Sequence, residues 1–122
     1  MPVKRAIALL LMTLEDSLDV MERAQAQAPN SELNRILIRR RRAAIVLRNR
    51  LSRKERPLQR SRTAGMQPTV AVLIELELAV LHRFDEALHL PALDPELATI
   101  LRGLRSEAEQ ARHSLVALSR SA

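Results

Sequence analysis

Apolar residues step through this chain by fours and threes, in four runs parted by prolines, and few folds can absorb that pattern. The first run is Ile7, Leu11, Leu14, Leu18 and Met21, and the second is Leu33, Ile36, Leu37, Ala44, Leu47 and Leu51. The third is Val70, Leu73, Leu81, Phe84 and Leu88, and the fourth is Leu97, Leu101, Leu104, Ala108, Ala111, Leu115 and Leu118. Such a stripe lies along one face of a helix and must be buried against another helix. Pro29, the Pro57 to Pro68 stretch and Leu90-Pro91 break the runs, because proline cannot continue a helix from within. The starts are marked as well. Asn30 or Ser31 can cap the second run, Pro68 sits near the start of the third, and Asp94-Pro95-Glu96 opens the fourth with a cap, a first-turn proline and an acid.

The spacing therefore predicts helices over about 3–27, 31–56, 69–90 and 95–119, with a flexible basic loop at 57–68. With 122 residues this makes a single domain, an all-α antiparallel four-helix bundle. The links are short except for the basic loop. An up-down-up-down order follows unless that loop crosses between two parallel helices. Gly103 lies off its stripe and is expected to mark a close helix contact. Ala and Leu are abundant and Phe84 is the sole aromatic, so the core is aliphatic. The absence of cysteine excludes a disulfide framework, thiolate metal sites and thiol catalysis.

Lys4-Arg5 followed by Ala6 to Met12 has the outline of a short signal peptide. The run continues in helical register through Glu15, Asp16, Asp19 and Glu22, so it reads as the start of a soluble helix in a cytoplasmic protein. No stretch approaches the ~20 apolar residues of a membrane span.

Charge is unevenly placed. The chain carries a net +6, and Ser31 to Arg62 holds twelve of its twenty cations but two of its fourteen acids, leaving the remainder mildly acidic. Arg39, Arg41, Arg42, Arg53, Lys54, Arg56, Arg60 and Arg62 are the candidate anion-binding residues, able to neutralise phosphates in a salt-sensitive way. No exposed aromatic is available for base stacking, and the cations do not fall on one helical stripe, so a nucleic-acid site is not the favoured reading.

Two charges fall inside apolar stripes. Arg40 lies within that of the second helix and Glu77 within that of the third. Neither is cheap to bury alone, and the guanidinium fork suits a carboxylate. A buried Arg40–Glu77 ion pair is expected, with Glu15 or Glu22 as a candidate third member. His82, His89 and His113 are spread over two helices on outward faces, and no catalytic or phosphate-cradling motif occurs. No catalytic residue, metal or cofactor is expected. Further apolar residues lie outside the stripes: Leu9, Leu10, Met12 and Val20; Ile38, Ile45 and Val46; Val72, Ile74, Leu76 and Leu78. A second apolar face predicts a second contact, most simply a twofold homodimer.

The run Glu77 to Leu88, ELAVLHRFDEAL, leads through the Leu90-Pro91 break to a last helix carrying Ala111-Arg112-His113-Ser114-Leu115. Over about half the chain this resembles small bacterial ferritin-like four-helix bundles. The resemblance implies a metal-ligand position at Glu77. The ligand pattern is degenerate: the inward face of the second helix offers Arg40 and no carboxylate, Gln110 stands where a second glutamate would, and His113 is out of register. The resemblance therefore implies a member that has lost its metal, with Arg40 supplying the positive charge. The functional expectation is a non-enzymatic interaction or adaptor module. The alternatives are a polyanion- or nucleic-acid-binding module built on the arginine-rich segment and a ferritin-like metal protein centred on Glu77.

Overall fold

The computed structural model describes residues 2–57 and 62–121; Arg60 lies outside them. It contains four helices, α1 (Pro2–Gln27), α2 (Ser31–Arg48), α3 (Val70–Leu88) and α4 (Pro95–Arg120), packed as a four-helix bundle. Among the described residues there is no strand, and no helix is long and apolar enough to cross a membrane.

Each start is fixed by a side chain that accepts an otherwise orphaned backbone N–H. Asn30 accepts from the amides of Glu32 and Leu33, Thr69 from Val72, and Asp94 from Leu97 with Pro95 behind it. Pro68 thus precedes the cap of α3 and does not sit in its first turn. α2 stops at Arg48 and does not reach the mid-fifties. Beyond it, Arg50 and Leu51 make tight backbone bonds to Leu47 and Arg48, and Leu51 turns inward to be buried. Two cations take carbonyls at this helix end: Lys4 Nζ donates to Arg50 O at 2.7 Å and Arg56 Nε to Arg48 O at 3.2 Å.

The helices form a ring in which α1 touches α2 and α3, and α4 touches α2 and α3. α2 and α3 therefore face each other across the diagonal. One core cluster joins Ile7 to Leu14 of α1, Ala43 to Leu47 of α2, Val80 to Ala87 of α3 and Leu97 to Ala108 of α4. The other joins Val20 to Ala24, Leu33 to Leu37, Leu73, and Ala111 with Leu115. So α2 and α3 run parallel, α1 and α4 run opposite to them, and every touching pair is antiparallel. The order is up-down-down-up, with the 49–69 link crossing the length of the bundle, and not the up-down-up-down order that uniformly short links would give.

That link is strapped to α1. Arg62 pairs with Asp16 at 3.0 Å, the Thr63 hydroxyl donates to Asp19, and Arg23 donates to the carbonyls of Thr63 at 2.6 Å and Met66 at 2.9 Å. Thr63 is buried by these contacts. Open space beside Gly103 shows that it marks no close helix approach.

Candidate functional site

Arg40 and Glu77 meet at the bundle centre. Both positions lie mid-helix on inward faces, and the diagonal placement of α2 and α3 points them at each other. Glu77 is 0% exposed and Arg40 4%. Arg40 Nη2 donates to both carboxylate oxygens of Glu77, with Oε2 at 2.6 Å, and Nη1 donates to the Ser17 hydroxyl at 2.5 Å.

The third member of the cluster is therefore Ser17, not Glu15 or Glu22. Glu15 sits at the rim of α1 and accepts from Arg48, while Glu22, exposed, lies 3.8 Å from Arg41. Ser17 was open to detection, since it lies three residues after Leu14 and four before Met21, on the apolar stripe itself. Reading the stripe through Leu18 hid it; Leu18 is only half-buried, beside a fully buried Ser17.

The surface arginines are largely tied to their own bundle. Arg35 pairs with Glu32 at 3.3 Å, Arg42 approaches Glu107 at 3.9 Å, and Arg50 approaches Glu96 at 3.8 Å. With Arg41–Glu22, Arg48–Glu15 and Arg62–Asp16, acids from α1 and α4 interleave with the basic helix. Arg56 is spent on the α2 terminus. Of the seven anion-binding candidates among the described residues, four make no salt bridge: Arg56, which binds a backbone carbonyl, and the exposed Arg39, Arg53 and Lys54. Arg105 binds Asp85 at 2.7 Å, and accepting that hydrogen bond lets Asp85 hold the guanidinium above its ordinary value.

The residues at the centre do not fit a metal. Both oxygens of Glu77 face a guanidinium, and among the described residues no three His, Asp or Glu side chains gather within reach of one ion. His113 points outward to Glu109 at 3.6 Å, His82 to Glu86 at 3.9 Å, and His89 Nδ1 lies 2.6 Å from the Asp85 carbonyl.

Two further features lie on α2, one new to the structure and one on the second apolar face expected from sequence. The seam between α2 and α4 is the loosest of the four and opens into a cavity of about 100 Å³ whose lining includes Arg40. Small side chains at Ala43, Ala108 and Ala111 leave this space. Glu107 lines it, and its Oε2, closed off from solvent, has no hydrogen-bond partner. The other feature is an exposed apolar pair on the outer face of α2, Ile38 at 55% and Ile45 at 59% exposure. By contrast, Leu10 and Val20 are consumed by the core, and Val46, Val72, Ile74 and Leu76 are half-buried.

The chain matches no family model, no curated protein and no solved structure in comparisons with known proteins.

Proposed function

We propose that the chain is a non-enzymatic helical-bundle module that acts by binding protein, and that its first partner is a second copy of itself. The observation that carries this reading is the pair Ile38 and Ile45. They are seven residues apart, two helical turns, and both are more than half exposed on one face of α2. Isolated exposed leucines or isoleucines are ordinary, but two aligned on one helix face are the anchor spacing of a helix-on-helix contact. Arg41 and Arg42 lie between them, each held loosely by a carboxylate of the same bundle. A twofold contact of α2 against α2 brings Ile38 of one copy to Ile45 of the other. It also brings Glu22 and Glu107 of each copy toward the arginines of the other, so the charge is reciprocated. A single long crossover is also the connectivity of ferritin-like bundles, which supports a kinship in architecture but not in metal chemistry.

Sedimentation and light scattering of the full chain test this, with Ile38→Asp and Ile45→Asp as the perturbations. Both positions are exposed, so the monomer is expected to fold unchanged while a dimer dissociates. A wild-type chain that is monomeric at high concentration would remove the self-association reading. Binding to polyanions is the second reading, favoured by the unpaired Arg39, Arg53 and Lys54.

A further inference from the structure

The outward seam between α3 and α4 divides into two unlike halves. The half beside the end of α3 is charged and closed: Arg105 binds Asp85 at 2.7 Å and lies 3.7 Å from Glu109. The half beside the start of α3 is apolar. From Val70 to Leu81 the only polar side chains are Glu75 and Glu77, and Glu77 is buried. What faces solvent there is Ala71, Ala117 and Leu78, with Ile74 and Val116 half-buried; Leu78 is 47% exposed. Seven residues are two helical turns. Leu78 lies one heptad before Asp85 and Arg112 one heptad after Arg105, so the antiparallel helices set Leu78 where a carboxylate would repeat the Asp85–Arg105 bond. Arg112 makes no hydrogen bond or salt bridge among the described residues, and only its Nε is closed off from solvent, leaving the Nη groups free. Glu75, exposed one turn from Leu78, is the one acid of the chain that makes no hydrogen bond or salt bridge among the described residues.

From this arrangement we infer that the apolar half of the α3–α4 seam binds the same half of a second copy of the chain. The twofold axis runs along the seam, and Glu75 of each copy pairs with Arg112 of the other. Rotation about such an axis lays α3 of one copy over α4 of the other, antiparallel, as every touching pair in the bundle already is. It also keeps each residue at its own height. Glu75 lies ten residues before Asp85 and so stands level with Leu115, ten after Arg105. Arg112 is three residues from that level, about 4.5 Å at a rise of about 1.5 Å per residue, which a guanidinium on its long stem can span. Ile74 and Leu78 then cover Val116 and Ala117 of the other copy. A twofold contact presents the same patch from both sides, so it closes without an unmet charge only if the patch holds one acid and one cation. This patch holds both, whereas a partner of one sign would leave Glu75 or Arg112 unpaired. The face is separate from Ile38 and Ile45, because α2 and α3 stand across the diagonal without touching, so it does not depend on the α2 contact.

The test is the mass in solution of the full chain carrying Ile38→Asp and Ile45→Asp, by light scattering and sedimentation at up to about 1 mM. Those two changes remove the α2 contact, so the mass that remains reads the α3–α4 face alone. A dimer is expected in that background. Leu78→Asp and Glu75→Arg are each expected to weaken it at least about tenfold. Combining Glu75→Arg with Arg112→Glu is expected to restore it, since the swapped charges again meet between copies. Leu78 and Glu75 are exposed, so circular dichroism should show unchanged helix content in these variants. A monomer in this background overturns the inference, whether or not the wild-type chain assembles through α2. So does a dimer that Leu78→Asp and Glu75→Arg leave unchanged. A dimer that Glu75→Arg weakens and the charge swap does not restore overturns the pairing of Glu75 with Arg112. Should Arg112→Glu fail to fold, Leu78→Asp and Glu75→Arg still decide whether this face carries the contact.

Discussion

Replacing Arg40 by methionine keeps most of the side-chain volume and removes the guanidinium from the bundle centre. Glu77, fully buried, is left without the group that both its oxygens accept from. An ion orphaned in this way costs about 3–5 kcal/mol. Against a typical total of about 5–15 kcal/mol for a domain, that is a large fraction. The partner substitution Glu77→Leu should cost less than Arg40→Met. Arg40 lines the α2–α4 cavity, so an orphaned guanidinium on its long side chain can swing toward Glu107 and solvent, whereas the short Glu77 side chain has no such route. The double variant Arg40→Met/Glu77→Leu buries neither charge and should lie within about 1 kcal/mol of wild type or exceed it by up to about 4 kcal/mol. Equilibrium unfolding in urea, followed by circular dichroism, gives all four corners of the cycle without adding salt. A single Arg40→Met cost below about 1 kcal/mol, or a double variant as unstable as the sum of the two singles, would refute the account of a paired, desolvated core charge.

Ser17→Ala removes the acceptor of Arg40 Nη1 and is expected to cost about 1–3 kcal/mol by the same urea assay, more than an alanine at an exposed serine such as Ser106. Asn30→Ala, which deprives two amides of their cap, should cost about 1 kcal/mol. Arg23→Ala releases two carbonyls of the crossover link and should raise hydrogen exchange and proteolytic nicking around 62–67 while leaving the core amides protected. At Glu55, hydrogen bonding from Ser52, chiefly from its backbone N–H, lowers the carboxyl below its ordinary value. A depressed folded value means the stabilisation is present above the ordinary carboxylate range and is lost as pH falls through the folded value. The pH dependence should flatten there in Glu55→Gln, as read from melting curves. Duplex DNA bound through the arginine-rich segment should meet only Arg39, Arg53 and Lys54 as exposed cations there without a salt bridge, giving a salt slope no steeper than about −3, and a slope near −6 would show that paired arginines are released to phosphate.

The helices were readable because breakers and caps sit where the stripes stop, and the Arg40–Glu77 meeting was readable because two charges inside apolar stripes have few other ways to be buried. Other parts were not readable, for identifiable reasons. The end of α2 depends on Lys4 and Arg56, which take carbonyls there from positions that helical periodicity cannot relate to them. A basic, aperiodic segment looks loose as a sequence, but Asp16, Asp19 and Arg23 on the outer face of α1 bind its described portion. The cationic helix looked like a surface for phosphate because its neutralising acids, Glu15, Glu22, Glu96 and Glu107, come from other helices. The cavity arises from three alanines on two facing helices, a coincidence that becomes visible only when the helices are set side by side.

Register and direction in this bundle are set by different residues. Arg40 lies at the middle of α2, but Ser17 and Glu77 lie two to three residues from the middles of α1 and α3, so reversing either of those helices end for end would move its member of the cluster by about 6–7.5 Å. A slip of one turn, about 5.4 Å, would pull the guanidinium out of reach of both partners. The central pair therefore fixes axial register. Direction comes from the link, whose residues 62, 63 and 66 meet Asp16, Asp19 and Arg23 of α1 in ascending order. That order carries the chain from the C-terminal end of α2 back to the end where α3 must start. It follows that Arg40→Met/Glu77→Leu should keep the crossover connectivity while loosening the register, seen as broadened amide resonances at mid-bundle with unchanged helix content. Loss of the strap through Asp16→Ala, Asp19→Ala and Arg23→Ala together should do the reverse, leaving sharp mid-bundle resonances but slowing refolding. If the strap variant lost the mid-bundle register instead, this division of labour would be wrong.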